Sequence, residues 1–187
     1  MSKKISLEVF VLLDSSSSMA GRKWEEAIGS INDYVHTLSK EVKDANITVA
    51  TFGEMGQKSF SRVNETANDI ALVRDSVKIT SFKDLNETEL RAYGNTPLYD
   101  ATARMLNLAD KRNSSKTIVL IMTDGEENAS IIYNLTSIRD RIATCQTRGW
   151  EVIFLGALFD VENTAKSYGL DSTKWLNTDI KGLLRIS

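Results

Sequence analysis

The chain of 187 residues has the length of one ordinary domain, and its 42% apolar and 26% charged residues are typical of a globular protein. A formal net charge of −2 gives no general attraction to nucleic acid or anionic membranes, and one cysteine excludes an internal disulfide. A single histidine excludes a metal site built from several histidines.

The first half of the chain alternates strand and helix patterns. Residues 5–14 (ISLEVFVLLD) are mostly apolar on both faces, which predicts a central parallel strand. In residues 23–44 apolar side chains recur every three or four positions, which predicts an amphipathic helix of about five turns. Residues 46–53 predict a second strand, and the polar, alternating residues 58–65 predict its hairpin partner at the sheet edge. Residues 67–79 fit either a helix or a helix followed by a strand.

The second half continues the alternation. Residues 96–112 predict a helix with Thr96 at the N-cap and Pro97 at the first helical position. The remaining predicted elements are buried strands at 116–125 and 150–158, a helix at 131–149 closed by Gly149, a short helix at 160–170 and a last strand at 174–178.

Strands that alternate with helices predict an α/β fold. We expect a doubly wound, mostly parallel sheet with one antiparallel edge strand and helices on both faces. The first apolar run is strand-sized and contains Glu8, so it lacks the form of a signal peptide, and no run is long enough to span a membrane. We therefore expect one cytoplasmic domain over residues 1–187 that binds neither nucleic acid nor membrane.

Three polar loops are predicted to meet at one edge of this sheet. Asp14 and four serines end the first strand, Asp124 ends the strand at 116–125, and the loop before Pro97 opens a helix. If the two strands are neighbours, their carboxyl ends bring together two carboxylates and several hydroxyls. This oxygen set suits Mg²⁺, or Mn²⁺ or Ca²⁺ with less selectivity.

These residues also carry a family resemblance. Asp14, Ser16 and Ser18 form an Asp-x-Ser-x-Ser motif, Thr96 follows in GNTPLYDA and Asp124 in IMTDGEEN. In this order, and on these elements, they resemble the metal-ion-dependent adhesion site of von Willebrand factor A domains. The resemblance covers nearly the whole chain and is strongest to the standalone intracellular A domains of bacteria and their viruses. It implies a Rossmann-like A-domain fold and a non-enzymatic protein-interaction module.

The resemblance also implies a role for each site residue. The hydroxyls of Ser16, Ser18 and Thr96 would bind the cation, while Asp14 and Asp124 would act directly or through bound water. An open coordination position would take an Asp or Glu carboxylate from a partner protein. In the family's intracellular branch, such partners include AAA-type ATPases and assembly factors.

Several residues near this site have more than one interpretation. Met19, Met55 and Tyr93 form either an apolar rim beside the metal or ordinary loop packing. Arg22 and Lys23 either attract an acidic ligand or are solvated.

Three further loop residues bear on the same site. Glu126 and Glu127 either support or rim the site or are solvated loop charges, of which we expect the second. Ser17 stands where family members often have glycine, which predicts altered loop geometry.

Two other function classes stay open. The chain could be an accessory or structural protein of a virus or bacterium that keeps the fold without metal dependence. It could also be a Mg²⁺-dependent phosphotransfer enzyme, such as a haloacid dehalogenase-like phosphatase. That chemistry requires a second acid two residues after Asp14, and this position is Ser16.

Overall fold

The computed structural model describes residues 7–53, 70–124, 127–156, 166–169 and 175–177. Strands and helices alternate through these ranges, interrupted by short 3₁₀ turns at Ser17–Met19 and Ile79–Ser81. The elements in chain order are β1 (Leu7–Asp14), α1 (Arg22–Glu41), β2 (Ala45–Phe52), β3 (Ala71–Lys78), α2 (Leu98–Arg112), β4 (Lys116–Thr123), α3 (Leu135–Thr147), β5 (Glu151–Gly156) and β6 (Trp175–Asn177).

The strands form one mixed sheet in the order β3-β2-β1-β4-β5-β6. β1 pairs in parallel with both β2 and β4, and the parallel pairing continues through β5 to β6. β3 runs antiparallel to β2 at the edge. The predicted fold class is therefore confirmed, including its single antiparallel edge strand. The strand order reverses between β1 and β4, which is where sheets of this kind bind ligands.

Helices cover both faces of the sheet, and β1 shows why. All eight of its residues are buried, and successive side chains point to opposite faces. Val9 and Val11 join the apolar cluster that includes α1, whereas Phe10 and Leu12 join the cluster that includes α2 and α3. Each such buried side chain contributes about 1.5–3 kcal/mol to folding. Among the helices that the structure describes, none is long and apolar enough to cross a membrane.

The antiparallel edge strand comes from a different part of the chain than the sequence predicts. Residues 58–65, which the sequence predicts as the edge strand, lie outside the described residues. The edge strand that the structure describes is β3. A helical interpretation of Ala71–Lys78 is therefore wrong. The register of β3 against β2 shifts twice, and Ser76 has a φ of +49°. These irregularities break the two-residue alternation that identifies a half-buried strand in a sequence.

Two helices begin later than their sequence patterns indicate. α2 begins at Leu98 with Pro97 as its N-cap, and this N-cap residue makes no side-chain capping bond, so the prediction of Thr96 as N-cap is wrong. α3 begins at Leu135, because Asn134 and Ser137 form a capping box that fixes its first turn.

The end of α3 agrees with the sequence prediction. Gly149 follows the helix with a φ of +83°, as expected for a C-terminal glycine. Of the short helix predicted at 160–170, the structure describes residues 166–169, of which 166–167 are helical.

Candidate metal centre

Two carboxylates lie at the neighbouring ends of β1 and β4. The strands are in register with Leu13 opposite Met122. Asp14 is the last residue of β1, and Asp124 follows the last residue of β4. Both are buried, with 0% and 5% of their surface exposed. Two buried carboxylates at one sheet edge need hydrogen-bond donors or a cation to offset the loss of water.

A continuous chain of hydrogen bonds joins four of the five predicted site residues. Asp14 Oδ1 accepts the Ser16 N–H at 2.8 Å, and Asp14 Oδ2 accepts the Thr123 hydroxyl at 2.5 Å. The hydroxyl oxygens of Ser16 and Ser18 are 3.0 Å apart. Ser18 Oγ in turn donates to Asp124 Oδ1 at 2.8 Å. The structure therefore brings Asp14, Ser16, Ser18 and Asp124 into one cluster.

The backbone of Thr96, the fifth predicted site residue, is held by Asn128 on the loop after β4. Its N–H donates to Asn128 Oδ1 at 2.8 Å, and the Asn128 N–H donates to the Thr96 carbonyl at 3.2 Å. Two residues earlier, Gly94 exchanges two hydrogen bonds of 2.9 Å with Ser17. Thr96 is 3% exposed and lies on the segment that joins the serine loop to the loop after β4.

The electrostatics of the cluster favour a cation. The pKa of Asp14 is raised above its ordinary value, mainly by burial. The charge of Asp124 also raises it, while hydrogen bonds from Thr123 and Ser16 lower it. Asp124 Oδ2 contacts the Lys23 ammonium, so one positive charge already lies at this carboxylate. The sequence left open whether the side chains of Arg22 and Lys23 bind at the site or are solvated. Lys23 is bound at the site, whereas Arg22 pairs with Glu26 on the surface.

The donor set fits a divalent cation of the Mg²⁺ class. It offers hydroxyl and carboxylate oxygens, which such ions prefer, and bound water would complete the coordination. Within the described ranges, no group of three or more His, Cys, Asp or Glu residues could hold a metal ion. Metal binding here would therefore depend on the hydroxyls of Ser16, Ser18 and Thr96 as much as on the two carboxylates.

The comparisons with known proteins agree with this fold. The family profile described as von Willebrand factor type A domain matches residues 8–177. The chain belongs to the von Willebrand factor type A domain family. No curated protein sequence matches it significantly.

Solved structures with low sequence identity share the fold of this A domain. The manganese-loaded TRAP protein of Plasmodium vivax is 16% identical, with a TM-score of 0.62 over 97% of this chain and 71% of that chain. The SpRpn10 VWA domain is 12% identical, with a TM-score of 0.58 over 90% and 84%. The PilB minor pilin of Streptococcus sanguinis is 10% identical, with a TM-score of 0.66, and all of this chain covers 60% of that one.

A buried carboxylate of the A domain that sequence reasoning missed lies in the first turn of α2. Asp100 accepts the N–H groups of Ile131 at 2.9 Å, Ile132 at 3.1 Å and Tyr133 at 2.8 Å. An acidic residue in a first helical turn predicts an interaction with the helix dipole, but not with a distant loop. These bonds hold residues 131–133 outside α3 and attach the loop after β4 to the helix that follows Thr96.

Glu127 has a structural role that corrects its interpretation as a solvated charge. Its Oε1 accepts the N–H groups of Ala129 at 2.8 Å and Ser130 at 2.6 Å. Its Oε2 accepts the Tyr99 N–H at 2.8 Å, which satisfies a donor in the first turn of α2. Glu126 lies outside the described residues. Glu127, which lies on the loop, therefore binds the first turn of α2, and Asp100, which lies in that turn, binds the loop.

The apolar rim proposed from the sequence is found in part. Met19 is fully buried in the core, so its assignment to the rim is wrong, and Met55 lies outside the described residues. Tyr93 is 67% exposed beside the serine loop. The loop after β4 exposes two more large apolar side chains, Ile131 and Ile132, which were not predicted. Apolar surface therefore flanks the carboxyl edge of the sheet on two loops.

Proposed function

We propose that this A domain is a non-enzymatic, metal-dependent protein-interaction module. In this proposal Mg²⁺, or Mn²⁺ or Ca²⁺, is held by Ser16, Ser18, Thr96, Asp14 and Asp124. The metal then accepts an Asp or Glu carboxylate from a partner protein. The observation that carries the proposal is the hydrogen-bonded cluster of Asp14, Ser16, Ser18 and Asp124 at the point where the strand order reverses.

The charge balance of the cluster favours an anionic ligand from outside. Three of the five donors are neutral hydroxyls, and Asp14 already accepts two hydrogen bonds from the protein. Two carboxylates lie near the divalent cation, and each acts directly or through water. The cation therefore keeps a strong attraction for a further carboxylate. The TRAP protein of Plasmodium vivax is manganese-loaded in its crystal structure, which supports a divalent ion as the ligand of this fold.

The surface around the cluster favours a protein over a small acid as the source of that carboxylate. Tyr93, Ile131 and Ile132 expose between 53% and 80% of their surface on the loops beside the cluster. Exposed apolar side chains next to a polar anchor are typical of protein-binding surfaces. We propose a partner segment with an acidic residue beside apolar ones. AAA-type ATPases and assembly factors are candidate partners that the family resemblance suggests.

The same geometry gives little support to the phosphotransfer alternative. The position two residues after Asp14 is occupied by the hydroxyl of Ser16, which lacks the acidity of a general acid. His36 pairs with Asp84 on the exposed surface of α1 at 2.7 Å. The other alternative is an accessory protein that does not depend on metal, and the metal titration described next distinguishes it from the proposal.

Metal titration by calorimetry tests the proposal with a matched pair of serine variants. Ser18→Ala removes a proposed ligand, while Ser17→Ala removes the neighbouring hydroxyl that accepts from Gly94. We expect saturable Mg²⁺ and Mn²⁺ binding by the wild type and by Ser17→Ala, because the Ser17 N–H still donates to the Gly94 carbonyl at 2.9 Å and holds the two segments together. Loss of a ligand oxygen should weaken binding by Ser18→Ala on the order of tenfold or more.

The result also decides between the proposal and its alternative. Acetate is added in a parallel titration, so that a carboxylate is present to complete the coordination in place of the partner's. If the wild type binds neither ion with acetate present, the proposal is wrong and the metal-independent accessory role is favoured. Equal binding by both serine variants would remove Ser18 from the ligand set.

A further inference from the structure

Lys23 contacts the cluster in a way that the other described residues do not. Its ammonium lies on Asp124 Oδ2, while Asp124 Oδ1 accepts the Ser18 hydroxyl. The Asp124 side chain is 1% exposed, so water offsets little of its charge. The ammonium therefore supplies the counter-charge that a buried carboxylate requires.

The two contacts of Asp124 differ in whether they are compatible with a bound metal. When Ser18 donates its proton to Asp124, its oxygen accepts from Ser16 with one lone pair and keeps the other free to bind a cation. An ammonium has donors and no lone pair, and it repels a divalent ion at short range. A metal bound to Asp124 Oδ2, directly or through a water that donates to it, requires the position that Lys23 occupies, and a metal at Oδ1 lies close enough to the ammonium to be repelled.

The local structure lets the ammonium leave while the backbone stays in place. Lys23 is the second residue of α1, and its side chain is 38% exposed. The next residue, Trp24, is buried, and its Nε1–H donates to the Leu90 carbonyl at 3.3 Å. The helix start is thereby anchored, whereas the flexible four-carbon stem of lysine reaches solvent by rotation of its side-chain torsions.

From these contacts we infer that Lys23 is a tethered counter-cation that competes with the divalent ion at Asp124. It stabilises the metal-free protein and sets the metal affinity lower than the oxygen ligands alone would give. This inference rests on the proposed metal binding and adds a regulating residue to the same site. Metal binding then moves the ammonium away from Asp124 to the rim.

Calorimetry with four proteins measures the competition. Lys23→Met keeps the length of the stem and removes the charge, and Lys23→Arg keeps the charge. Arg22→Met is the matched control, because it removes one positive charge from the adjacent residue, which pairs with exposed Glu26. We expect Lys23→Met to bind Mn²⁺ on the order of tenfold more tightly than wild type. Arg22→Met and Lys23→Arg should stay within about threefold of wild type.

Melting temperature gives a second readout. In chelator, Lys23→Met should melt below both wild type and Arg22→Met, because buried Asp124 has lost its counter-charge. With saturating Mn²⁺ this deficit should disappear, because the metal replaces the ammonium and binds more tightly.

The possible results separate this inference from the proposed function. Saturable Mn²⁺ binding by wild type that tightens in Lys23→Met and stays unchanged in Arg22→Met would support the inference. If wild type and Lys23→Met bind with equal affinity, or Arg22→Met gains as much, the competition is refuted while the metal site stands. If none of the four proteins binds Mn²⁺ with acetate present, the proposed function is wrong and the inference falls with it.

Discussion

The carboxylate of Asp100 is expected to be a principal support of the candidate site, and Asp100→Asn tests this. The side chain is 1% exposed at the third residue of α2. It accepts backbone N–H groups from Ile131, Ile132 and Tyr133 at 2.8–3.1 Å. The substitution keeps the size of the side chain but removes its charge. It also turns one acceptor into an NH₂ group that faces N–H donors.

The expected loss follows from the bonds that the amide cannot make. A hydrogen bond to a charged group contributes about 1.5–3 kcal/mol, and bonds to one carboxylate are not additive. Because Ile131 and Ile132 are exposed, water can satisfy part of what is lost. We therefore expect the free energy of unfolding to fall by about 2–4 kcal/mol. At about 2–4 °C per kcal/mol for a domain of this size, the melting temperature should fall by roughly 10 °C.

Thermal and urea unfolding in chelator, followed by circular dichroism, measure this loss without a contribution from metal. Asp110→Asn is the matched control on the same helix. Asp110 pairs with Arg148 at 2.6 Å, but its side chain is 57% exposed, so this pair should contribute at most about 1 kcal/mol. A melting temperature of Asp100→Asn within 2 °C or so of Asp110→Asn would refute the reasoning, because the three amide bonds would then contribute nothing measurable.

Three further predictions concern the site and the core. Gly53→Ala should cost about 1–3 kcal/mol in chemical unfolding and weaken metal binding, because its Cβ would lie 2.9 Å from the Tyr93 carbonyl and 3.2 Å from that of Ser15. Burial raises the pKa of Cys145, so native protein should react with a disulfide reagent at least ~10-fold more slowly than urea-unfolded protein. Burial also raises the pKa of Asp14 above its ordinary value of 3.8. The folded protein therefore holds this proton more tightly than the unfolded chain, and its free energy of unfolding falls as the pH rises from 3.8 through the raised pKa. In chelator at pH 7, Asp14→Asn should therefore melt no lower than wild type, while losing the rise in melting temperature that metal gives wild type.

The central part of the fold could be predicted because its signals are local. β1, β2 and β4 are buried apolar runs, and the regular apolar spacing of α1 identifies its buried face. β1 and β4 are neighbours in the sheet, which is the condition under which the sequence predicts that the polar loops meet. The placement of Asp14 and Asp124 at one sheet edge depends on that order alone.

The supports of the site could not be predicted because they pair side chains with distant backbone. The partners of Asp100 are amides of residues 131–133, and Glu127 accepts the amide of Tyr99, 28 residues earlier. Any residue except proline supplies an N–H group, so such contacts leave no pattern of residue types in the sequence. The contact of Lys23 is with a side chain, but its partner Asp124 is 101 residues away, so the sequence left open whether Lys23 is bound at the site or solvated.

Ser17 shows how a departure from a family pattern acquires its meaning in the fold. Glycine at this position would ease a turn with positive φ, which is why serine there predicts altered loop geometry. Within the described ranges, the non-glycine residues with positive φ are Ser76 and Asn113, so Ser17 meets no such requirement. The residue that has a positive φ here is its partner Gly94, at +93°. The Ser17 hydroxyl accepts the Gly94 N–H at 2.9 Å, so the extra side chain links the serine loop to the segment that carries Thr96. Serine at this position therefore adds a contact between two of the three loops and places no strain on the backbone of the site.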